Sequence, residues 1–509
     1  MLSTTAFSVV ERLTWVQICL GLGGLAVLWY IVGAIVAWNK LRHIPGPFLA
    51  SFSYVWAFWV AYSGRSHIIL DSEQKKHGPV IRIAPDGVTI IDAESFNEIN
   101  SARSSYTRGG WYKSTRFDYR GPSIICVLDV SYHAKRKSKL ATAFSSKNLT
   151  TLESGIDKWI GALVHSLHAK LAKGQETMDL GQLVQYFQVD LIAELGMGQP
   201  WNDLEEERDN FGYLEMSDSV VPAVQCFAFL PLARALYTSM WFMKLFGPKT
   251  TDSKGVGRFM GVLQNEVESR FNDTTDKYTE HHDILGTWIK NGLTAEECQL
   301  DLSLLIPAGS ETTIMMIRGT LLLLMSSPIM YQKLKQEIRN GIATGRISSP
   351  VTNEEAKSLE YTQAVIREGL RLMAPANFGF PKRVPPEGDT ICGVYLPGGT
   401  EVYANYHSMM RNKEVFGDDA ETFRPERFIG GGPDIAHMIK AVDLIFGGGR
   451  YMCLGKIVAL LEMNKIFVEL FRNFDFQIAN PEKPWERLSY TTWMVYDFWV
   501  RVTKDTTMA

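Results

Sequence analysis

An apolar run that begins at a helix-capping box and ends at a proline stop constrains this chain more than any other feature. Thr294-Ala-Glu-Glu297 opens it, since a threonine and a glutamate three residues on satisfy each other's free backbone N–H groups at a helix start. Ser326-Ser-Pro328 closes it, because proline cannot continue a helix. The spacing predicts a helix of about thirty residues, against a mean of about 11–12, so it must cross a whole domain. In its middle stands Ala308-Gly309-Ser310-Glu311-Thr312-Thr313, an acid and hydroxyls inside a Leu, Ile and Met run. A buried carboxylate costs several kcal/mol unless it is hydrogen-bonded or hydrated. A threonine bonding back to the i−4 carbonyl beside a solvated glutamate is the bland account, and the apolar neighbours speak against it. Pro307 removes one N–H donor just before the cluster and predicts a kink or opening there.

A second segment, Phe446-Gly-Gly-Gly-Arg-Tyr-Met-Cys453-Leu-Gly455, leads into the helical run from Lys456. It puts one cysteine on a glycine-rich loop at a helix N-terminus, where N–H groups and the helix dipole favour thiolate and a metal can be held. Alone, such a loop is more often a turn with an inert cysteine. Glu368-Gly-Leu-Arg371 sets opposite charges at i, i+3 on one helix face, and Phe423-Arg-Pro-Glu-Arg427-Phe428 follows before the cysteine loop.

The N-terminus carries no charge from Leu13 to Asn39, and Trp15 to Trp38 would span about 36 Å as a helix at ~1.5 Å per residue. A signal-peptide core is usually only about 7–15 residues, so a retained anchor is favoured. Lys40, Arg42 and His43 follow the span, against Glu11 and Arg12 before it, a bias that places the C-terminal bulk in the cytoplasm. Pro45-Gly-Pro47 makes a stiff, non-helical hinge. The expected organisation is an anchor over residues 1–44 and one catalytic domain over 45–509, because no linker divides the remainder of the 509 residues. Val80 to Asp92 reads as a hairpin about Pro85-Asp-Gly87, and Thr390 to Ala404 as two strands around Pro397-Gly-Gly399. The fold class is therefore mainly α with a smaller β part (α+β).

A net charge of −3 argues against nucleic acid as a partner. Six dispersed cysteines without a Cys-x-x-Cys pair suggest neither a zinc site nor a disulfide framework. The apolar stretch Phe227 to Phe246, broken by Pro231, Arg234 and Lys244, is either a core helix or a lid that touches the membrane.

Together, in this order, these motifs resemble the cytochrome P-450 (haem-thiolate monooxygenase) family, and within it the fungal pisatin demethylase-like group. Phe446, Gly449, Cys453 and Gly455 match the family's Phe-x-x-Gly-x-Arg-x-Cys-x-Gly signature, with Tyr451 at its arginine position and Arg450 one residue earlier. The resemblance implies the cytochrome P-450 fold, with the long helix over a haem b whose iron takes Cys453 as axial ligand. It implies that Glu311 and Thr312 deliver protons during oxygen activation while Gly309 admits O2. It assigns haem-propionate contacts to His133, Lys137, Arg383 and Arg450, and a buried network bracing the haem-side core to Glu368, Arg371 and Arg427. Substrate-facing positions, by family placement, are Ser303, Pro307, Ala308, Ala376, Phe378, Trp493 and Met494.

The activity so implied is insertion of one oxygen atom from O2 into an apolar small molecule of fungal secondary metabolism: a terpenoid, polyketide or alkaloid. Electrons would come from NADPH through a separate NADPH-cytochrome reductase, with cytochrome b5 admitted as a further donor, since no Gly-x-Gly-x-x-Gly follows a strand. Lys135, Arg136, Lys139 and Lys456 are candidates for attracting that partner. The location implied is the endoplasmic reticulum membrane, single-pass, with the catalytic domain facing the cytoplasm. A haem-thiolate isomerase or dehydratase, and a non-catalytic membrane haem-binding protein, are the alternatives; neither needs the Glu311-Thr312 pair.

Overall fold

A computed structural model describes residues 15–145, 148–272 and 282–506. Glu11 and Arg12 lie outside them. Nine helices frame the site and its surroundings and are numbered among themselves: α1 Trp15–Lys40, α2 Val130–Ala141, α3 Leu180–Met197, α4 Tyr213–Ala228, α5 Pro231–Tyr237, α6 Met240–Phe246, α7 Ala295–Met325, α8 Glu360–Leu372 and α9 Lys456–Asn473. The strands are β1 Val80–Ala84, β2 Gly87–Ile90, β3 Thr107–Arg108, β4 Thr177–Asp179, β5 Phe378–Arg383, β6 Asp389–Ile391, β7 Val394–Leu396, β8 Glu401–Asn405, β9 Phe474–Ile478, β10 Glu486–Ser489, β11 Trp493–Tyr496 and β12 Trp499–Lys504.

The long helix forms as its ends demand. Thr294 accepts from the Glu297 N–H while Glu297 accepts from the Thr294 N–H, and α7 then runs 31 residues. It packs against α3, α8 and α9. Pro307 lies inside it and the helix continues through it, so the proline costs one N–H donor without ending the helix.

The main sheet has the order β1-β2-β8-β5-β3, with β2 and β8 parallel and the other neighbours antiparallel. The predicted first hairpin is β1–β2. The second region divides differently from the expectation. Strands β6 and β7 close a hairpin at Cys392 and Gly393, both in the left-handed region at φ 50° and 74°, and Pro397-Gly-Gly399 is the connection into β8 of the main sheet. Two-residue turns with both φ positive match strand twist, and the Cys-Gly pair hid that signal.

Helix α1 is long and apolar enough to cross a membrane, and its described side chains from Leu20 on are largely exposed. The α7 helix also meets the length and hydropathy test, yet 56 % of its most apolar window is buried, as befits a core helix. The end of α1 is held by the body. Arg82, fully buried on β1, donates from Nη2 to the Ala37 carbonyl at 2.9 Å and from Nη1 to that of Trp38 at 3.3 Å, capping the helix C-terminus with a cation. Its N–H donates to Pro45 O at 2.8 Å. The Pro45-Gly46-Pro47 segment is thus non-helical, as expected, and fixed.

Candidate functional site

The cysteine loop is built by its glycines. Cys453 N–H donates to Phe446 O at 2.8 Å, closing a loop in which Gly447 and Gly449 take φ of 70° and 51°. A Cβ on Gly449 would run into the carbonyl of Asn100, so this glycine permits a backbone approach to residues 100–102. The backbone N–H groups of Gly455 and Lys456 bond the Cys453 sulfur, and α9 starts beneath it. Burial nevertheless raises the thiol pKa, outweighing these N–H groups and the charges of Lys137 and Lys456. Those N–H groups and cations act in the direction expected of a thiolate loop, while burial acts against it. Cys453 is an exposed residue whose thiol is nonetheless desolvated.

Beside that loop stand Arg108, Lys137, Lys382 and Arg450, which have no carboxylate partner among the described residues. Lys382 is 3 % exposed, its Nζ lies 3.8 Å from the centroid of the Tyr451 ring, and the charged groups acting on it are Arg108, Lys137 and Arg450. Burial first, then these like charges, push its pKa well down. Arg108 sits over the same ring at 4.7 Å, and its Nε, like the Tyr451 hydroxyl, is buried without a partner. Burial and then Arg108 push Lys137 down to about 8; burial and then the four cations push His133 to about 3. Buried uncompensated charge is unfavourable, so the pocket demands an anion. Two carboxylates on a planar, metal-centred ligand are what a haem brings, and the residues present fit it.

The resemblance-based contacts fare unevenly. Lys137 Nζ donates to the carbonyls of Arg450 at 2.9 Å and Met452 at 2.7 Å, tying α2 to the loop. His133 is buried beside Tyr451, ring centroids 5.0 Å apart. Arg450 spends its guanidinium on Ser104 O at 2.7 Å and Ala102 O at 3.3 Å. Arg383 is exposed and its neighbour Lys382 is buried, beside a register irregularity of β5 between Gly379 and Lys382. Lys382 and Arg108 were missed, because the sequence does not announce the register irregularity that precedes Lys382. Among the four basic residues assigned to partner attraction, Arg136 is buried and paired with Asp301 at 2.8 Å, whereas Lys135 is exposed.

On α7, Ala308 is exposed and Pro307, Gly309, Glu311 and Thr312 are half-buried, between the buried Ile306 and Ser310 and the buried run from Thr313. Thr312 Oγ1 donates to Ala308 O at 2.8 Å. Glu311 faces elsewhere: it accepts from Tyr213 Oη at 3.0 Å and Ser217 Oγ at 3.1 Å, both on α4. Burial raises its pKa, and the two hydroxyls and Arg318 offset part of that rise. Gly309 needs to be small for a reason other than oxygen entry, because its missing Cβ would meet Ile192 of α3 at 2.9 Å. Its carbonyl accepts from Gln188 Nε2 at 3.3 Å, which also donates to the buried Glu462 at 3.0 Å.

The bracing network is complete. Arg371 donates to Glu368 from Nε at 2.7 Å and Nη2 at 2.8 Å, and Arg427 Nε donates to Glu368 at 3.0 Å. The arginines also reach carbonyls of Met410, Ala420 and Phe416, each at 2.6 Å, and Glu368 and Arg371 are fully buried.

Of the substrate-facing expectations, Ala308 lies on the accessible face. Ser303, Pro307 and Ala376 are half-buried, and the Ser303 hydroxyl is turned onto Leu300 O at 2.7 Å. Phe378 is a core residue, stacked between Phe229 and Tyr403. Trp493 is buried and donates to Ala374 O at 2.8 Å, and Met494 lines a recess beside Glu311. The stretch 227–246 is no core helix: α5 buries none of its residues, and Leu232, Trp241, Leu245 and Phe246 are exposed.

Comparison with known proteins agrees with this geometry. The chain is 39 % identical over 472 residues to a cytochrome P450 monooxygenase, aba1, of Botryotinia fuckeliana, covering 91 % of this chain and 92 % of the relative. It is 35 % identical over 498 residues to cytochrome P450 monooxygenase ABA1 of Pyricularia oryzae, covering 95 % and 96 %. Pisatin demethylase of Fusarium vanettenii is 27 % identical over 468 residues, covering 90 % and 89 %. The pattern of the family described as Cytochrome P450 matches residues 45–495, and the chain belongs to that family.

Proposed function

We propose that this chain is an N-terminally anchored monooxygenase that inserts one oxygen atom from O2 into an apolar product of fungal secondary metabolism. Cys453 would hold haem through its sulfur, and that group would supply the activation of O2. The observation that carries the reading is the set of cations Arg108, Lys137 and Lys382 beside the desolvated Cys453, of which Lys382 is buried and none has a carboxylate partner among the described residues. Those cations would hold the propionates of that group. Glu368, Arg371 and Arg427 hold the core beneath it rigid. Thr312 presents a hydroxyl on the accessible face, and Glu311 serves as the protonatable reservoir next to it in sequence, turning from α4 to deliver.

Electrons arrive from NADPH through a separate reductase, with exposed Lys135 on the α2 side as one attractive charge. Residues 1–44 form the anchor and 45–509 the catalytic body, in the endoplasmic reticulum membrane with the body in the cytoplasm. Exposed Leu232, Trp241, Leu245 and Phe246 support a lid that meets the lipid and admits apolar substrate. Isotopically labelled O2, with NADPH, reductase and an extract of the producing fungus, tests the reaction class. One labelled oxygen atom in a product that needs this chain supports it, and product formed without label overturns it.

A further inference from the structure

Two buried N–H donors lack acceptors where α4 meets the tip of the β10–β11 hairpin and the short 3₁₀ helix Gly110–Thr115. They are Trp111 Nε1 and Gln225 Nε2. Each residue is 2 % exposed, and neither atom has a partner among the described residues. Buried donors left unpaired are rare and costly, so each such group needs an explanation. Gln225 is held from its other end, since its Oε1 accepts from the Thr491 hydroxyl. Two helical turns earlier on the same face of α4, Asp218 accepts from Tyr496 of the same hairpin at 3.0 Å, which sets the register of the helix along it.

Gly379 of β5 brings the two donors together. It takes a φ of 129°, and the Cβ it lacks would lie 3.7 Å from Thr491 Oγ1 and 3.5 Å from Trp111 Cζ2, the ring carbon beside the one bonded to Nε1. The Gln225–Thr491 pair and the N–H edge of the indole thus flank one glycine. Their surroundings are aromatic, with the rings of Phe380 and Tyr112 at 5.4 and 5.5 Å from that of Trp111. This place adjoins the cysteine site. Arg108, one of the cations beside the cysteine loop, lies over the Tyr112 ring at 4.8 Å, and α4 reaches α7 through the Tyr213 and Ser310 hydroxyls, 3.0 Å apart.

Charge at this place is balanced. Glu401 accepts from the Gly110 N–H, next to Trp111, while Arg234 Nη2 lies 2.8 Å from the Cβ that Gly110 lacks and offsets part of the carboxyl's rise in pKa on burial. No cation is left over to neutralise an anion. We propose, resting on the monooxygenase reading, that Trp111 and Gln225 are specificity-determining residues that hold one uncharged carbonyl oxygen of an otherwise apolar substrate. An indole N–H can only donate, and a carbonyl oxygen has two lone pairs, one for each donor. Holding the substrate by that oxygen fixes which of its carbons can face α7.

The test uses the full-length haem protein with nootkatone, a sesquiterpenoid ketone, its parent hydrocarbon valencene, and farnesoic acid as a carboxylate. Affinity is read by calorimetry, and the nootkatone carbonyl stretch by infrared difference spectroscopy. Nootkatone is expected to bind about tenfold tighter than valencene, as two buried hydrogen bonds to a neutral oxygen support, and its stretch to move to lower wavenumber. Trp111→Phe and Gln225→Met should each reduce the preference several-fold and reverse part of the stretch shift while valencene affinity is kept. Gln225→Met, which removes the amide and keeps the bulk, decides the matter should Trp111→Phe fail to fold. Nootkatone bound no tighter than valencene, absence of binding by both included, overturns the proposal, and is the result expected if the donors only hold a water. A preference that survives both substitutions, or farnesoic acid bound tighter than nootkatone, also overturns it. Oxygen insertion does not enter these measurements, so a ketone preference with no labelled product would sink the monooxygenase reading alone, and labelled product without the preference would sink this proposal alone.

Discussion

The Tyr213 hydroxyl donates to Glu311 Oε1 across 3.0 Å, so the acid of the α7 cluster is held by α4 and turned away from the adjacent Thr312. Consecutive helix positions diverge by about a third of a turn, and here they face different neighbours. Thr312 reaches the accessible face, and Glu311 reaches a polar enclave of α4 hydroxyls. Since α5 and α6, with their exposed apolar side chains, follow α4 directly, movement of that cover would alter the grip on Glu311.

Thr312→Ala removes the hydroxyl from the accessible face without removing structure, since its only bond is to a helix carbonyl. Haem content and the thiolate-type spectrum are expected to stay normal. Hydrogen peroxide formed per NADPH should rise several-fold, and labelled product should fall correspondingly.

Glu368→Gln strips the charge from the centre of a buried network and leaves Arg371 without a carboxylate partner, while Arg427 keeps Asp419 Oδ1 at 3.3 Å. The expected cost is about 3–5 kcal/mol, since breaking a buried pair leaves charge in a low-dielectric site. Denaturant unfolding of the haem-loaded protein measures it. A loss under about 1 kcal/mol would contradict the bracing role, because that is the range of exposed pairs.

His133 gives a pH signature. Burial, Arg108 and the neighbouring cations depress it to about 3 from an ordinary 6.5, so between those values the unfolded chain binds a proton that the folded one refuses. Stability contributed by neutral His133 is present above 6.5 and is lost as pH falls toward 3, at up to about 1.4 kcal/mol per pH unit for one proton. In haem-free protein, His133→Phe should flatten that decline. With haem bound, propionate charge relieves the depression, and the difference between variant and wild type should shrink.

Deletion of residues 1–44 is expected to leave a body that still sediments with lipid vesicles through Leu232, Trp241, Leu245 and Phe246, exposed by 57–73 %. Replacing these four by serine in the deleted form should release it to the supernatant. Release by deletion alone would contradict the lipid-facing lid.

How much was legible in the chain follows from how local each signal is. The capping box and Pro328 bound α7 to within a residue, because caps act through backbone groups three or four positions away. The Glu368-Arg371-Arg427 triad was legible from motif order. What escaped was tertiary. Nothing near Glu311 in sequence announces Tyr213 and Ser217, about a hundred positions earlier. Gly309 looked like an opening for O2, whereas Ile192 of another helix explains its missing side chain. Phe378 and Trp493 occupy positions that invite a substrate reading, yet an aromatic stack and a backbone acceptor claim them. Arg383 was chosen on motif position, whereas its neighbour Lys382 is the buried side chain, beside a register irregularity of β5 that the sequence does not announce.

The central claim is that Cys453 is the thiolate that holds the haem iron. Its most direct measurement is the absorption spectrum of the purified, haem-loaded protein reduced under carbon monoxide, beside that of Cys453→Ala. The wild type should show the strongly red-shifted Soret band of a thiolate ligand, and the variant should lack it, with haem lost or held by another ligand. A thiolate-type band that survives in Cys453→Ala would contradict the assignment.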